Sequence, residues 1–261
     1  MIRWLRGPHD PLPNPARAFS PASEIPGLVA AGGELTPARL DEAYRKGIFP
    51  WFSEGQPILW WSPDPRMVLL PDEFKLSRSL KKTIRRFLAT PGATIRIDAA
   101  TRRVITSCAT VARDGESGTW IVAEMIDAYA AWHALGRVHS FETWIDGELA
   151  GGLYGVGLGR MFFGESMFAL RTDASKIALA GLVAFCRARG IETIDCQQRT
   201  PHLESFGGRE IARGEFQRRL GTALAGSDVV DWSYDLRLWE QLGLGSTAES
   251  ADPDAPEDNR P

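Results

Sequence analysis

VHSFETWIDGELAGGLYGVGLGRMFFGESMF, residues 138–168, breaks into short apolar runs separated by Asp146-Gly147 and by Gly157 with Gly159. An Asp-Gly pair between apolar runs marks a tight hairpin, because both central turn positions need a positive φ that these residues adopt at low cost. The stretch therefore predicts a three-strand antiparallel meander. Its flanks set the class. Upstream, Thr36 and Pro37 open a short helix over 37–46, with Leu40, Ala43 and Tyr44 in one stripe and Gly47 as its stop. An amphipathic helix follows from Leu76 to Leu88, and two more helices at about 99–112 and 120–135, the last ending at Gly136. Downstream, Thr172 or Asp173 caps a long helix through Arg189 closed by Gly190; then come the strand IETIDC (191–196), a polar loop and a helix over 214–225. Helices, a meander, then helix and strand describe an α+β fold rather than a doubly wound sheet.

Outside these elements the chain is irregular. The first thirty or so residues are proline-rich and aperiodic, so they read as an extended surface segment. Residues 48–65, IFPWFSEGQPILWWSPDP, hold four prolines, three tryptophans and two phenylalanines, which predicts an aromatic-rich loop with short strands. A break near residue 70 would leave a small N-terminal α/β domain, 1–70, and a larger one, 71–240. The C-terminal stretch 245–261, with its acids, prolines and lack of large apolar side chains, should be disordered.

At 261 residues, 44% hydrophobic and 24% charged, the chain is globular in composition, and its formal charge of −3 taken alone argues against a polyanionic partner. That average misleads. Residues 247–261 carry five acids and one base; removing their −4 leaves residues 1–246 at +1. There is no long apolar run and no secretion signal, so we expect a cytoplasmic protein without membrane association. Cys108, Cys186 and Cys196 match no zinc or redox spacing, and His133 and His139, six apart, match no ligand pair. No metal and no organic cofactor is expected.

Three features could carry chemistry. Arg78, Lys82 and Arg85 fall at i, i+4 and i+7, Lys81 and Arg86 widen the face, and no acid lies between Glu73 and Asp98. Such a face is either solvated surface or a phosphate-binding patch, and the absence of interspersed glutamate favours the patch. Trp51, Trp60 and Trp61 share one loop and Trp120 opens a helix; core packing explains most tryptophans, but indoles beside a basic helix also suit a nucleobase. Finally, Asp195 and Gln197 are two apart at a strand end and so share a face, and Glu165 lies among Phe162, Phe163 and Met167, where a partly desolvated carboxylate could accept a proton or hold a cation. A structural carboxylate bonded to backbone is the competing reading for each. The glycines at 155, 157 and 159 lack dinucleotide-loop spacing, and Gly164-Glu165-Ser166 sits in a predicted strand rather than a nucleophile elbow. They suit strand bends or the approach of a ligand to the backbone.

The blocks GLVAAGGELTPARLDEAYRKGIFPWFSEGQPILWWSPDPR (27–66), SRSLKKTIRR (77–86), GTWI (118–121), HSFETW (139–144), GGLYGVGLGRMFFGESMF (151–168), ASKIAL (174–179), IDCQ (194–197) and HLESFGGREIAR (202–213) resemble, in order, the bacterial leucyl/phenylalanyl-tRNA protein transferase family. The resemblance covers residues from about 10 to 220. It implies an acetyltransferase-like C-terminal domain, no cofactor, and transfer of leucine or phenylalanine, with methionine left open, from aminoacyl-tRNA to a protein N-terminal Arg or Lys. That product is a degradation signal of the N-degron pathway. It further implies that Arg78, Lys82, Arg85 and Arg86 hold tRNA phosphates, that Trp51 and Trp120 contact the terminal adenosine, and that Leu153, Phe162, Met167, Leu179 and Ile194 line the aminoacyl side-chain pocket. Asp195 and Gln197 fall on its catalytic pair and Glu165 on its pocket acid. Asp195, through hydrogen bonding with Gln197, is expected to position and help deprotonate the acceptor amine, and Glu165 to orient the incoming N-terminus. The expected state is a monomer. Two departures stand out: Ala169 and Leu170 replace Ser-Arg, and Asp173 replaces Asn. Two other readings are an aminoacyl-tRNA-dependent enzyme with another acceptor and a non-catalytic binder of N-degrons. The acids at Glu165 and Asp195 favour a cationic acceptor over the first; the basic helix together with an apolar pocket argues against the second.

Overall fold

The computed structural model describes residues 1–111 and 121–245. Trp120 and the acidic C-terminal stretch beyond residue 245 lie outside these. The N-terminal segment supplies β1 (Arg3–Leu5), β2 (Leu28–Gly32), α1 (Pro37–Arg45), β3 (Phe49–Pro50) and β4 (Leu59–Trp61). The strands form a four-stranded sheet in the order β1-β2-β4-β3. The next strand, β5 (Arg66–Leu69), already belongs to a second sheet, so the change of sheet falls between Trp61 and Arg66, just ahead of residue 70. Thr36 caps α1 through its side chain and Gly47 takes φ +70 beyond it, as the local sequence predicts.

The larger part continues with α2 (Arg78–Ala89), β6 (Thr94–Ile97), α3 (Thr101–Thr110), α4 (Ala123–His133), the meander β7 (Val138–Ile145), β8 (Glu148–Leu158) and β9 (Met161–Ala169), then α5 (Ala174–Arg189), β10 (Thr193–Gln197), α6 (Pro201–Ser205), β11 (Arg209–Ile211) and α7 (Arg213–Ala225). Its seven strands run in the order β11-β5-β10-β9-β8-β7-β6. The expected α+β class holds. The β7-β8 turn has φ +55 at Asp146 and +76 at Gly147, the positive pair that Asp-Gly supplies. β9 and β10 pair in parallel, which a hairpin cannot achieve, and α5 is the crossover between them. One sheet face packs on α2 and α5, the other on α1, α3, α4 and α7. In α2 the buried side chains are Leu80, Ile84 and Phe87, each worth about 1.5–3 kcal/mol of burial.

Four expectations change. The first thirty or so residues, read as an extended surface segment, supply β1 and the start of β2 to the smaller sheet and bury Leu5, Leu12 and Val29 in its core. Trp60, placed in the aromatic-rich loop and offered with Trp51 and Trp61 as a nucleobase platform, is fully buried, because it sits on β4 between two partner strands and its indole N–H donates to the Gly32 carbonyl. Asp173 occupies the position before α5 but caps nothing: at φ +63 its carboxylate turns instead to Lys176 Nζ, 2.7 Å away. The glycines of β8 admit the protein's own side chains. A Cβ at Gly155 would lie 2.2 Å from the Phe163 carbonyl oxygen and 2.5 Å from the Phe162 ring, and one at Gly157 would lie 2.6 Å from Trp232.

Candidate active site

Two β-bulges on neighbouring strands build the site. On β9, Tyr154 faces Ser166 and Gly155 faces Gly164, so Glu165 is the extra residue of a bulge. On β10, Asp195 faces Val68 and Gln197 faces Met67, so Cys196 is the extra one. A bulge bends the strand and re-aims side chains. The parallel pairing of β9 with β10 ends at Phe163 and Asp195, immediately before both irregularities. Beyond that point the two strands carry Glu165 and Gln197 with no ladder between them.

Glu165 is half-buried and held by groups from three other elements. Its Oε1 accepts from the Tyr44 hydroxyl of α1 at 2.7 Å and from Gln197 Nε2 at 3.4 Å; its Oε2 accepts from the Tyr129 hydroxyl of α4 at 3.3 Å. The two phenol oxygens are themselves 2.5 Å apart. Burial raises the Glu165 pKa, as does the nearby Asp195 charge; the tyrosine hydroxyls and Arg66 pull the other way, and the result is about 8. Burial, then the Glu165 charge, pushes both tyrosines well above their ordinary value, so they stay protonated and serve as donors. Burial also pushes the Cys196 thiol up, which removes it as a nucleophile.

Asp195 is arranged differently. It is fully buried, and both carboxylate oxygens are committed: Oδ1 accepts from Arg66 Nε at 2.8 Å and from the Gln197 backbone N–H at 3.0 Å, and Oδ2 from Arg66 Nη2 at 2.6 Å. Arg66, itself buried, donates through Nη1 to the Gly47 carbonyl, and its guanidinium lies 4.8 Å from the Phe49 ring centroid and 4.5 Å from that of Phe216. Asp195 and Gln197 do work on one side of the sheet, since the partners of both, Arg66 and Glu165, reach the end of α1. The regular two-residue period does not place them there. Gln197 stands at φ +54, a left-handed residue closing the bulge, with its N–H on the aspartate.

The five residues expected to line the aminoacyl pocket gather in one apolar cluster: Leu153, Phe162, Leu179 and Ile194 are buried and Met167 is half-buried at its edge. On α2, Arg78, Lys82, Arg85 and Arg86 are all exposed, and none of them, nor Lys81, forms an ion pair with an acid among the described residues. Trp51 is 37% exposed, its ring tilted against Trp61 at 5.8 Å, while Trp61 Nε1 donates to the Trp51 carbonyl at 2.7 Å. Leu170, where an arginine was expected, is exposed. Sequence reasoning missed Arg66, Tyr44 and Tyr129. Tyr44 was legible only as part of a helical apolar stripe, and nothing in WWSPDPR marks its arginine as buried. Among the described residues no group of three or more His, Cys, Asp or Glu side chains gathers to hold a metal ion, and no helix is long and apolar enough to cross a membrane.

Comparison with known proteins bears on the whole chain. The family model described as leucyl/phenylalanyl-tRNA protein transferase matches residues 68–221, and that of the N-terminal domain of the same transferase matches 33–64. A leucyl/phenylalanyl-tRNA-protein transferase of Methylibium petroleiphilum is 60% identical over 96% of this chain and 95% of its own length. The one from Leptothrix cholodnii is 57% identical over 93% of this chain and 96% of its own. A solved structure, L-PGS from Bacillus licheniformis, shares 11% identity at a TM-score of 0.33, covering 61% of this chain and 49% of that one, a likeness too slight to assign the fold. With its two matched regions and relatives of this identity along nearly its full length, the chain belongs to the leucyl/phenylalanyl-tRNA protein transferase family.

Proposed function

We propose that this chain transfers leucine or phenylalanine from aminoacyl-tRNA to the α-amine of a protein beginning with Arg or Lys, and that the product is marked for degradation. The family carries the transferase assignment; the observation that carries the cationic acceptor is Glu165, a half-buried carboxyl group that forms no ion pair among the described residues. In the reaction the neutral amine attacks the ester carbonyl, a peptide bond forms, the bond to the ribose oxygen breaks, and one proton leaves the amine while one reaches the ribose oxygen. The donor ester is already activated, so alignment, proton removal and oxyanion stabilisation are the enzyme's main tasks.

The residues divide these tasks. Asp195, held by Arg66, acts as a positioning residue that sets Gln197 through its backbone N–H. Gln197 and Glu165 then face the incoming amine, and Glu165 takes its proton or holds its charge. Leu153, Phe162, Met167, Leu179 and Ile194 receive the aminoacyl side chain, where a β-branched one would be crowded. Trp51 stacks the terminal adenosine together with Trp120. We read the larger sheet as acetyltransferase-like because a parallel strand pair joined by a crossover helix stops short at paired bulges. The donor is made in the cytoplasm, and we place the protein there as a monomer, with a small N-terminal domain ahead of residue 70 or so.

The function is tested by supplying labelled leucyl- or phenylalanyl-tRNA with peptides beginning in Arg, Lys or Ala. Label on the first two only is expected; release of free amino acid alone, or equal labelling of all three, overturns the acceptor reading. For the donor, replacing Arg78, Lys82, Arg85 and Arg86 one at a time by alanine should each flatten the salt dependence of tRNA binding by about 1 in log-log slope. A slope indifferent to all four would place the tRNA elsewhere.

A further inference from the structure

A second basic feature lies apart from the α2 face. A cavity of about 250 Å³ opens where Lys75 and Ser77 precede α2, the start of α5 brings Lys176 with Asp173 just before it, and α6 brings His202. It is smaller than the roughly 300–1,000 Å³ of common small-molecule clefts and large enough for a phosphate with part of its ribose. Phe206 forms one wall, stacked on Phe74 at 5.8 Å and met edge-on by His202 at 4.9 Å, and its carbonyl accepts the Lys75 N–H at 2.9 Å, fixing that lysine at the rim. The Ser77 hydroxyl is already engaged with the Leu80 N–H and with Ser79, so recognition of a ligand falls to the basic side chains.

Those side chains are unevenly satisfied. Lys75 Nζ and the His202 ring have no hydrogen-bonding or ionic partner among the described residues, and Lys176 has one, Asp173 Oδ1 at 2.7 Å. Partial burial, then the Lys176 charge, lowers the His202 pKa from its ordinary value. Two lysines against one carboxylate leave the cavity net positive, with the neutral imidazole as a hydrogen-bonding group beside them. Position adds a second argument. Lys176 is three residues before Leu179 on α5 and so shares its helix face, next to the apolar cluster assigned to the aminoacyl side chain. His202 follows Gln197 by five residues, at most about 18 Å of chain. Arg78, one residue past Ser77, begins the exposed basic face of α2. The cavity thus adjoins the start of α2, whose basic face is assigned to tRNA phosphates, and the end of α5 from which Leu179 enters the apolar cluster.

We infer that Lys75, Lys176 and His202 form a binding site for a backbone phosphodiester of the donor's single-stranded 3′ end, linking the α2 face to the aminoacyl pocket. The inference rests on the tRNA-donor reading above. Asp173 tempers the site by holding Lys176; asparagine tolerates the same left-handed backbone and would release that lysine without straining the chain.

The test compares two donors, phenylalanyl-tRNA and 3′-phenylalanyl-adenosine, which carries the ester but no phosphate. For Lys75→Ala/Lys176→Ala, kcat/KM with the tRNA is expected to fall tenfold or more, chiefly through KM, with less than a twofold change for phenylalanyl-adenosine. Asp173→Asn should raise tRNA affinity severalfold and leave the phosphate-free donor unaffected. Equal losses with both donors would make the cavity structural and overturn the proposal, as would an undiminished reaction with tRNA. Wild-type protein that uses neither donor would defeat the tRNA-donor reading itself, and this site with it. Wild-type activity on phenylalanyl-adenosine with no defect of the variant on tRNA would defeat this site alone.

Discussion

Arg66→Met is expected to destabilise the protein by about 3–5 kcal/mol and to reduce transfer below detection, because it strands a fully buried Asp195 with no cation. The guanidinium holds three things at once: both oxygens of Asp195, the Gly47 carbonyl at the end of α1, and the rings of Phe49 and Phe216. Only the first involves a buried charge, so the double variant Arg66→Met/Asp195→Asn should recover more than half of the lost stability in urea unfolding. Transfer should stay at least a hundredfold below wild type, since the bidentate contact that orients Asp195, and through it the left-handed Gln197, is gone. A double variant as unstable as the single one would show that Arg66 acts through α1 and the aromatic rings rather than through Asp195. Recovery of activity along with stability would remove Asp195 from the reaction altogether.

Glu165→Gln is expected to lower kcat/KM for an Arg-initiated peptide by about 10²–10⁴, the range of a lost proton acceptor, and to do so most at alkaline pH. The Glu165 pKa lies near 8, so in wild type the ionised fraction rises as pH climbs through that value, and transfer rises with it until the carboxylate is fully ionised. The glutamine variant should lack this limb. Stability moves in the opposite direction. A carboxyl whose folded pKa is raised above its ordinary 4.5 binds its proton more tightly in the native state, so its contribution to stability is complete below that pH and is lost as pH rises toward 8. Glutamine is immune to this loss, and Glu165→Gln should therefore melt higher than wild type at pH 8 while transferring less. A variant that loses both activity and stability would mean that the Tyr44 and Tyr129 hydroxyls need the carboxylate as a structural acceptor. An unchanged pH profile would assign the alkaline limb to the acceptor amine.

The meander over residues 138–168 and the helices around it were legible because each depends on its own neighbours: Asp-Gly at a turn, apolar residues at helical spacing, glycine at a helix stop. The basic face of α2 was legible for the same reason, as cations spaced by one helical repeat with no acid among them. The short strands β2, β5, β6 and β11 were not, since three to five residues carry too little period and their place is set by the strands beside them. Arg66 shows the same limit in a single residue. Its neighbours in sequence are prolines and an apolar strand, whereas its partners come from β10, the end of α1 and α7.

By itself the sequence determined the longer helices, the meander, their order, and the family to which the chemistry belongs, because local spacing and ordered blocks of residues carry that information. Only the tertiary structure decided which carboxylate is locked and which is open. Asp195 and Glu165 look alike on paper; one meets a buried guanidinium from a strand 129 residues away in sequence, the other two phenols and an amide. Burial and charge partners set a carboxylate's protonation and freedom, and those partners are brought together by packing across segments that share no local pattern.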